Sequence, residues 1–193
     1  MALILASTSS IRSQMLADAG VEHVAMPPAI DEAPAKERGL IGEDLAYELA
    51  RAKAVAVSLQ RPDEWVIGSD STISVDGRAF DKPASRGEAA EHLRFFSGRT
   101  IELSSAVALA RGGPVDWDHA ETARLHVRDL SDAFIESYLD TEWPQVGYCV
   151  GVFRMEGPGV QLFERVEGSH FTILGMPLIP LLGALREREV LPR

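Results

Sequence analysis

The chain has 193 residues, of which 46% are hydrophobic and 25% charged, and its formal net charge is −10. These values are ordinary for a soluble globular protein and exclude an intrinsically disordered chain. The acidic balance disfavours binding to the backbone of DNA or RNA, because no run of basic residues offsets it. A single cysteine, Cys149, excludes a disulfide framework, and the apolar N-terminal run is too short for a signal peptide. We therefore expect a cytoplasmic protein that neither spans a membrane nor binds a nucleic-acid polymer.

Hydrophobic patterning and turn signals predict strands and helices that mix without strict alternation. Strands are predicted at residues 3–6, 23–26, 65–69, 72–75, 100–110, 119–127 and 161–167. Helices are predicted at 11–19, 44–59, 85–96, 131–139 and 178–189, with a loop at 27–42. The Asp76-Gly77 pair predicts a hairpin turn, and Gly112-Gly113-Pro114 predicts another. The pattern favours an α/β fold with a mixed sheet flanked by helices, and the length suits one domain over residues 1–193.

A strand, a Ser/Thr-rich loop and a helix follow one another from residue 3 to residue 16. The first N–H groups of a helix lack partners and favour an anion, and Ser7 and Ser9 add hydroxyl groups at the same place. Arg12 lies in the first helical turn, where a cation opposes the helix dipole, and a bound phosphate would relieve that conflict. The alternative is that Ser9 or Ser10 is a simple N-cap and that Arg12 points to solvent.

Carboxylates occur at two places that suit a metal site. Asp70 ends an apolar strand, and the carboxyl edge of a sheet is where α/β proteins commonly place ligands. There it could bind a divalent cation or act as a general base on water. Asp31 and Glu32 are adjacent in the long loop, and together with Asp70 they would form an oxygen-rich site suited to Mg²⁺ or Mn²⁺. The alternatives are a turn aspartate and two solvated loop acids.

Lysine is rare in this chain, which has 16 arginines but only Lys36, Lys53 and Lys82. A lysine is a compact point charge, so Lys53 and Lys82 are candidates for neutralising phosphate, although chance retention at the surface explains them equally well. Other standard sites are missing, since the chain has no Walker A pattern, no Gly-x-Gly-x-x-Gly and no histidine pair at zinc-ligand spacing. Cys149 lies beside Val150 and is interpreted as a small buried hydrophobic residue rather than a nucleophile.

Several short motifs occur in the order found in the Maf-like nucleoside triphosphate pyrophosphatases, which this chain resembles from residue 3 to about residue 185. They are Leu5-Ala6-Ser7-Thr8-Ser9 with Arg12, Asp31-Glu32, Ala50-Arg51-Ala52-Lys53-Ala54, Gly68-Ser69-Asp70, Lys82-Pro83, Ser97-Gly98, Glu156-Gly157, Val166-Glu167-Gly168 and Gly175-Met176-Pro177-Leu178. Each motif is weak, and the ordered set is specific. The resemblance implies an elongated, two-lobed fold with a central nucleotide cleft. It also implies metal-dependent hydrolysis between the α and β phosphates, giving a nucleoside monophosphate and pyrophosphate, as a house-cleaning step in nucleotide metabolism.

The resemblance also implies roles for single residues. Asp70 would be the catalytic acid/base that activates water, and Glu32 would bind the Mg²⁺ or Mn²⁺ ion with Asp70 or help to polarise that water. The triphosphate would be held by Ser7, Ser9, Arg12, Lys53 and Lys82. Family members often form homodimers, and some are linked to arrest of septum formation. The loop Ser9-Ser10-Ile11-Arg12 lacks the proline and one basic or aromatic residue that the family usually has. That departure keeps open an alternative, a nucleotide-binding regulator of cell division with little catalysis.

Three residues are candidates for selecting the base: Ile11, Ser71 and Glu156. Arg154-Met155-Glu156-Gly157 resembles the 7-methyl-GTP pyrophosphatase branch, whereas the thymidine/uridine branch carries glutamine at the position of Glu156. A carboxylate only accepts hydrogen bonds, which matches the N1–H and N2–H₂ donors of guanine, while glutamine suits the mixed edge of uracil or thymine. The 7-methyl-GTP branch has an aromatic residue at the position of Ile11, and isoleucine cannot stack on a cationic base. For Ser71 the alternative is a small residue at a strand end. The sequence favours 7-methyl-GTP, with dTTP or UTP as the alternative.

Overall fold

The computed structural model describes residues 2–192. Its strands are β1 (Leu3–Ala6), β2 (Val24–Ala25), β3 (Trp65–Val75), β4 (Arg78–Phe80), β5 (Thr100–Ala110), β6 (Val115–Val127) and β7 (Phe163–Glu167). Its helices are α1 (Ser10–Asp18), α2 (Ala33–Glu37), α3 (Gly42–Ser58), α4 (Arg86–Phe96), α5 (Asp132–Glu142), α6 (His170–Ile173) and α7 (Leu178–Glu187). Two 3₁₀ turns cover Gln145–Tyr148 and Pro158–Leu162.

The strands form one seven-stranded sheet in the order β2-β1-β3-β5-β6-β7, with β4 paired to β3 outside this path. β1 is parallel to β2 and β3, and the remaining pairs are antiparallel, which confirms the predicted α/β class with a mixed sheet. Ala6 at the end of β1 pairs with Gly68 in β3. The loop after β1 and Asp70, two residues beyond Gly68, therefore lie at the same part of the sheet.

Several elements differ from the sequence prediction: α6 was not predicted, β6 begins at Val115 rather than at residue 119, and β3, α2 and β4 differ as follows. β3 is a single strand across Ser69, Asp70 and Ser71, because these polar residues pair in register with Val107, Ala106 and Ser105 of β5. The segment 27–42 is not all loop, since it contains the short helix α2. β4 was not predicted either, although the turn before it was, and that turn is confirmed. Asp76 and Gly77 have φ of 52° and 74°, the left-handed pair that a tight hairpin turn requires.

Small residues bring α3 unusually close to the sheet. Its alanines at 46, 50 and 54 pack against those at 106, 108 and 110 of β5. At Gly68 of β3, a Cβ atom would lie 2.1 Å from the carbonyl oxygen of Ala50 and 2.5 Å from the amide nitrogen of Ala54. Only glycine fits there, and the resulting contact sets the distance from Lys53 in α3 to Asp70 in β3.

The long strands carry a hydrophobic cluster at each end. One cluster joins the end of β3 to α4 and α5, with Ile73, Leu93 and Leu139 fully or almost fully buried. The other joins the start of β3 to α1 and α7, with Leu16 and Leu185 fully buried. The fold therefore has two lobes that share one sheet, as the resemblance implied. Over residues 2–192, no helix has the length and apolar character needed to cross a membrane.

Candidate active site

A cleft of about 1100 Å³ opens between the two lobes. It gathers side chains from the loop after β1, from α2 and α3, from the middle of β3 and from the segments that follow β4, α5 and α6. All but one of the residues to which the sequence assigned a role line it: Ser7, Ser9, Ile11, Arg12, Glu32, Lys53, Asp70, Ser71, Lys82 and Glu156. The exception is Asp31, which was predicted to join the metal site but does not line the cleft, and its Oδ1 accepts a hydrogen bond from the Ala33 amide at 3.0 Å at the start of α2. The structure thus brings together residues from Ser7 to Glu156, which are far apart in the chain. Their individual roles stay predictions.

Lys53 lies between the two carboxylates of the cleft. Its Nζ is 2.8 Å from Oε1 of Glu32, and it also donates a hydrogen bond to Oδ1 of Asp70. The side chains of Lys53 and Asp70 are only 11% and 13% exposed, whereas that of Glu32 is 39% exposed. A single buried lysine therefore bridges two carboxylates and offsets part of their negative charge, and Glu32 is the more exposed of the two.

The pKa of Glu32 lies below its ordinary value. Burial by itself would raise this pKa, but the hydrogen bond and the charge of Lys53, aided by Lys36 and Lys82, act more strongly in the opposite direction. Glu32 is therefore ionised throughout the neutral range and is available as an oxygen donor.

The serines after β1 organise the start of α1. Oγ of Ser7 accepts a hydrogen bond from the Ser9 amide at 3.1 Å, and Oγ of Ser9 accepts one from the Arg12 amide at 3.4 Å. Ser9 is thus the N-cap of α1, as the simpler interpretation of the sequence had it. The N-cap does not exclude an anion site at the start of α1. Ser10 and Ile11 line the cleft in the first turn of this helix, where N–H groups without a partner in the helix favour an anion.

Arg12 binds the protein itself rather than pointing to solvent. Its guanidinium donates to the carbonyl oxygens of Gly175 at 2.9 Å and Ser69 at 3.1 Å, and to Oγ of Ser71 at 2.9 Å. Removal from water lowers its pKa, while the charges of Asp70 and Glu32 raise it. Three of the five guanidinium N–H groups are occupied in this way, which leaves two for a ligand. Arg12 therefore fastens α1 to β3 and to the turn after α6.

Ser71, a candidate for base selection, belongs to the same network. Besides accepting from Arg12, its hydroxyl lies 2.8 Å from Oγ of Ser105 and 3.1 Å from the carbonyl oxygen of Gly175. A Cβ at Gly175 would lie 3.2 Å from this hydroxyl. The immediate partners of Ser71 are thus protein atoms, and its part in base selection stays a prediction.

All three lysines of the chain line the cleft, including Lys36, to which the sequence analysis gave no role. Lys36 donates a hydrogen bond to Oδ1 of Asp81 at 2.6 Å and so links α2 to the loop after β4. Lys82 is exposed and, among residues 2–192, forms no ion pair with a carboxylate. The signal for Lys36 was present in the sequence, because lysine is rare in this chain, but its position next to Glu32 depends on the fold of α2.

The segment after α5 forms the other wall of the cleft and carries Glu156, which is exposed. Arg154, two residues earlier, donates to the buried carboxylate of Glu142 at 3.0 Å, a pair that fixes this segment on α5. Cys149 is half-buried in the same wall. Burial raises the pKa of its thiol, and the charge of Glu156 raises it further, so the thiol stays protonated.

The donor set decides which metal the cleft could hold. Among the described residues, no group of three or more His, Cys, Asp or Glu side chains is placed to bind a metal ion. Glu32 and Asp70 are two carboxylates around one cation. Mg²⁺ is usually bound through one or two carboxylates, with water and substrate phosphates supplying its other ligands. The cleft therefore fits Mg²⁺ or Mn²⁺ brought with a nucleotide and does not fit a metal centre built from protein ligands alone.

Comparison with known proteins agrees with the resemblance seen in the sequence. The family model described as "Maf-like protein" matches residues 2–188. A nucleoside triphosphate pyrophosphatase of Nitrobacter hamburgensis is 48% identical over 191 residues, which cover 98% of this chain and 95% of that protein. The 7-methyl-GTP pyrophosphatases of Rhizobium etli and Rhizobium meliloti are 46% and 47% identical over 189 residues, covering 96% of this chain and 95% of each relative.

Among solved structures, the Ham1 protein of Staphylococcus aureus is similar with a TM-score of 0.47 and 16% identity. The match covers 67% of this chain and 73% of that one.

Proposed function

This chain belongs to the Maf-like protein family, and from that premise we propose that it is a metal-dependent nucleoside triphosphate pyrophosphatase whose preferred substrate is 7-methyl-GTP. The reaction is hydrolysis between the α and β phosphates, which releases a nucleoside monophosphate and pyrophosphate. The observation that supports this proposal best is the group formed by Asp70, Lys53 and Glu32. In it, one lysine bridges a buried carboxylate, Asp70, and a more exposed one, Glu32, inside a cleft large enough for a nucleotide.

Asp70 is the proposed general base. Its carboxylate is 13% exposed and faces the cleft, so it can take a proton from a water molecule that also contacts the substrate. Lys53 holds this carboxylate in place through its hydrogen bond to Oδ1. When the water attacks the α phosphorus, its proton passes to Asp70 and the electrons of the breaking bond leave with pyrophosphate.

The triphosphate is the proposed ligand of the helix start and the lysines. The first turn of α1 supplies N–H groups, Ser7 and Ser9 supply hydroxyl groups, and Lys82 is the exposed cation. Phosphoryl transfer relies on positioning and on neutralising charge, which is what fixed donors and point cations provide. Arg12 contributes its two remaining N–H groups from a fixed position.

Glu32 and Asp70 are the proposed protein ligands of Mg²⁺ or Mn²⁺. When bound, such an ion neutralises the charge that develops on the phosphate oxygens and helps to orient the triphosphate. Glu32 is the more exposed of the two carboxylates, and if it turned towards the ion, Lys53 would still be paired with Asp70.

The base preference is proposed from Glu156 and from the relatives. Glu156 is an exposed acceptor in the cleft wall, and it matches the two donors on the Watson–Crick edge of guanine. Two relatives at 46% and 47% identity are 7-methyl-GTP pyrophosphatases.

The test is a panel of nucleotides comprising 7-methyl-GTP, GTP, UTP, CTP, dTTP and ITP, each with Mg²⁺, with Mn²⁺ and with EDTA. Pyrophosphate and orthophosphate are assayed separately. We expect pyrophosphate without orthophosphate, chiefly from 7-methyl-GTP, and no release with EDTA. Release chiefly from UTP or dTTP would replace the proposed substrate, and full activity with EDTA would remove the metal. Tight binding of a nucleotide without any release would instead indicate a regulator.

A further inference from the structure

Tyr148 is an exposed aromatic side chain in the cleft, and the proposed function gives it no role. Three aromatic residues line the cleft within residues 2–192: Phe80, Tyr148 and Phe153. Phe80 and Phe153 are each only 7% exposed and belong to the hydrophobic core of their lobe. Tyr148 is 72% exposed. Among the described residues that line the cleft, it is therefore the only aromatic side chain that is exposed enough for a ligand to cover it.

The backbone that carries Tyr148 is firmly anchored. The residue ends the 3₁₀ turn Gln145–Tyr148, in which Val146 is fully buried in the core. Trp143 covers the same turn, since a Cβ at Gly147 would lie 2.9 Å from its ring. On the other side, the amide of Cys149 donates to the carbonyl of Val146 at 3.1 Å. Because the backbone of Tyr148 is already fixed, a ligand that binds its ring would restrict only the side-chain torsions. The loss of conformational entropy on binding would therefore be small, which is one reason why binding sites are rich in tyrosine.

The charge in the same wall as the ring points to a cation. Glu156 is an exposed carboxylate that, like Tyr148, belongs to the segment after α5 and lines the cleft. A tyrosine face attracts a positive charge through the ring quadrupole, and a neighbouring carboxylate adds to that attraction. A base that carries a positive charge on its ring and two N–H donors on its edge satisfies both groups at once, as 7-methylguanine does.

We infer that Tyr148 stacks on the base of the bound nucleotide and selects a positively charged purine over its neutral counterpart. This inference rests on the proposed function and adds to it a second specificity residue besides Glu156. Tyr148 acts on the base and takes no part in the chemistry at phosphorus.

The test compares 7-methyl-GTP with GTP, which has the same hydrogen-bonding edge but no charge on the ring. In Tyr148→Ala, we expect KM for 7-methyl-GTP to rise about tenfold and KM for GTP about threefold or less, with kcat for both within about twofold. Tyr148→Phe keeps the ring and should retain the wild-type values. Tyr148→Leu keeps apolar bulk without a π face and should behave like the alanine variant.

Calorimetry with 7-methyl-GMP and GMP gives the same comparison without turnover. Equal loss for both nucleotides, no loss, or recovery in Tyr148→Leu would overturn the role of Tyr148 while leaving the enzyme a 7-methyl-GTP pyrophosphatase. The proposed function is tested separately, in the nucleotide panel with the wild-type protein. If the wild type does not release pyrophosphate from 7-methyl-GTP, the proposed function fails whatever the Tyr148 variants do. The position of Tyr148 on the surface means that its variants should fold, which circular dichroism checks.

Discussion

At the scale of single residues, Lys53 sets the charge of the cleft. It is the only cation within hydrogen-bond distance of both Glu32 and Asp70 in the described part of the chain. Without it, the two carboxylates would share a partly buried site with no bridging cation to offset their mutual repulsion. Lys53 therefore offsets the repulsion between the two groups that the proposed mechanism uses, Glu32 as a metal ligand and Asp70 as a metal ligand and proton acceptor.

Glu156→Gln is expected to change the base preference without stopping catalysis. Glutamine presents a donor where guanine also presents donors, so kcat/KM for 7-methyl-GTP should fall about tenfold or more relative to UTP. Pyrophosphate release from the two nucleotides measures the ratio. Glu164→Gln, which changes an exposed carboxylate outside the cleft, is the matched control. An unchanged ratio in Glu156→Gln would remove Glu156 from base recognition.

The residue types of the site were predictable, but some of their partners were not. Asp70 and the serines could be chosen because carboxylates and helix-start hydroxyls suit phosphate chemistry. The premise that Asp70 ends a strand was wrong, since Asp70 lies inside β3 and is paired with Ala106 of β5. The contact from Arg12 to the carbonyl of Gly175 joins residues 163 positions apart and has no local signal. Lys36 was visible as a rare lysine, yet only the helix α2, which the sequence analysis read as loop, brings it to the cleft.

At the scale of elements, the contact between α3 and β3 depends on Gly68. In Gly68→Ala, the new methyl group would overlap the backbone of α3 at Ala50 and Ala54, neither of which can move alone. We expect a loss of about 3 kcal/mol in the free energy of unfolding, at the upper end for overpacking, together with a larger loss of activity as Lys53 moves from Asp70. Chemical denaturation and pyrophosphate release measure the two effects.

Gly183→Ala is the matched control for this prediction. Gly183 lies inside α7, and a Cβ there would meet no heavy atom within 4 Å. Alanine should therefore stabilise the helix by about 0.5–1 kcal/mol and leave activity unchanged. A Gly68→Ala protein as stable and as active as Gly183→Ala would show that the close approach of α3 is not required.

The packing of α4 on β4 predicts a dependence of stability on pH. His92 of α4 makes an edge-to-face contact with Phe80 of β4 at 5.1 Å, and its Nδ1 is buried without a hydrogen-bond partner among the described residues. Burial lowers the pKa of His92, and the charge of Glu88 only partly opposes this. Since the folded pKa lies below the unfolded value of about 6.5, the unfolded chain binds more protons below that pH.

Stability should therefore fall as the pH drops below about 6.5, by at most about 1.4 kcal/mol per pH unit from this residue. His92→Phe keeps the ring contact and removes the titrating group, so its stability should vary less between pH 7.5 and pH 5.5. Urea denaturation at several pH values measures both proteins. Identical pH profiles would mean that His92 makes no contribution.

The errors in the predicted elements have physical causes. The prediction split β3 because Asp70 and Ser71 interrupt its hydrophobic pattern, and the strand continues because β5 pairs with it from Val66 to Val75. α2 has only five residues, too few to show a helical period. By contrast, the long helices and the Asp76-Gly77 turn were predicted because periodicity and turn chemistry act locally.

At the scale of the whole molecule, an acidic protein concentrates all three of its lysines in one cleft. The net charge of −10 repels a polyphosphate from most of the surface, so local cations must hold it at the site. Binding should therefore depend on these few residues more than on the overall field. The net charge could be calculated from the composition. The position of the three lysines in one cleft could not be predicted in this way, because it depends on how α2, α3 and the loop after β4 pack around the sheet.

The central claim is that this cleft hydrolyses a nucleoside triphosphate with Asp70 as the base. The most direct test measures pyrophosphate release from 7-methyl-GTP by the wild-type protein and by Asp70→Asn, with calorimetry of nucleotide binding to both. We predict that Asp70→Asn loses turnover by a factor of about 10²–10⁴ and binds the nucleotide within a few-fold of the wild type. Full turnover in Asp70→Asn would contradict the account, because no proton transfer to Asp70 could then limit the reaction.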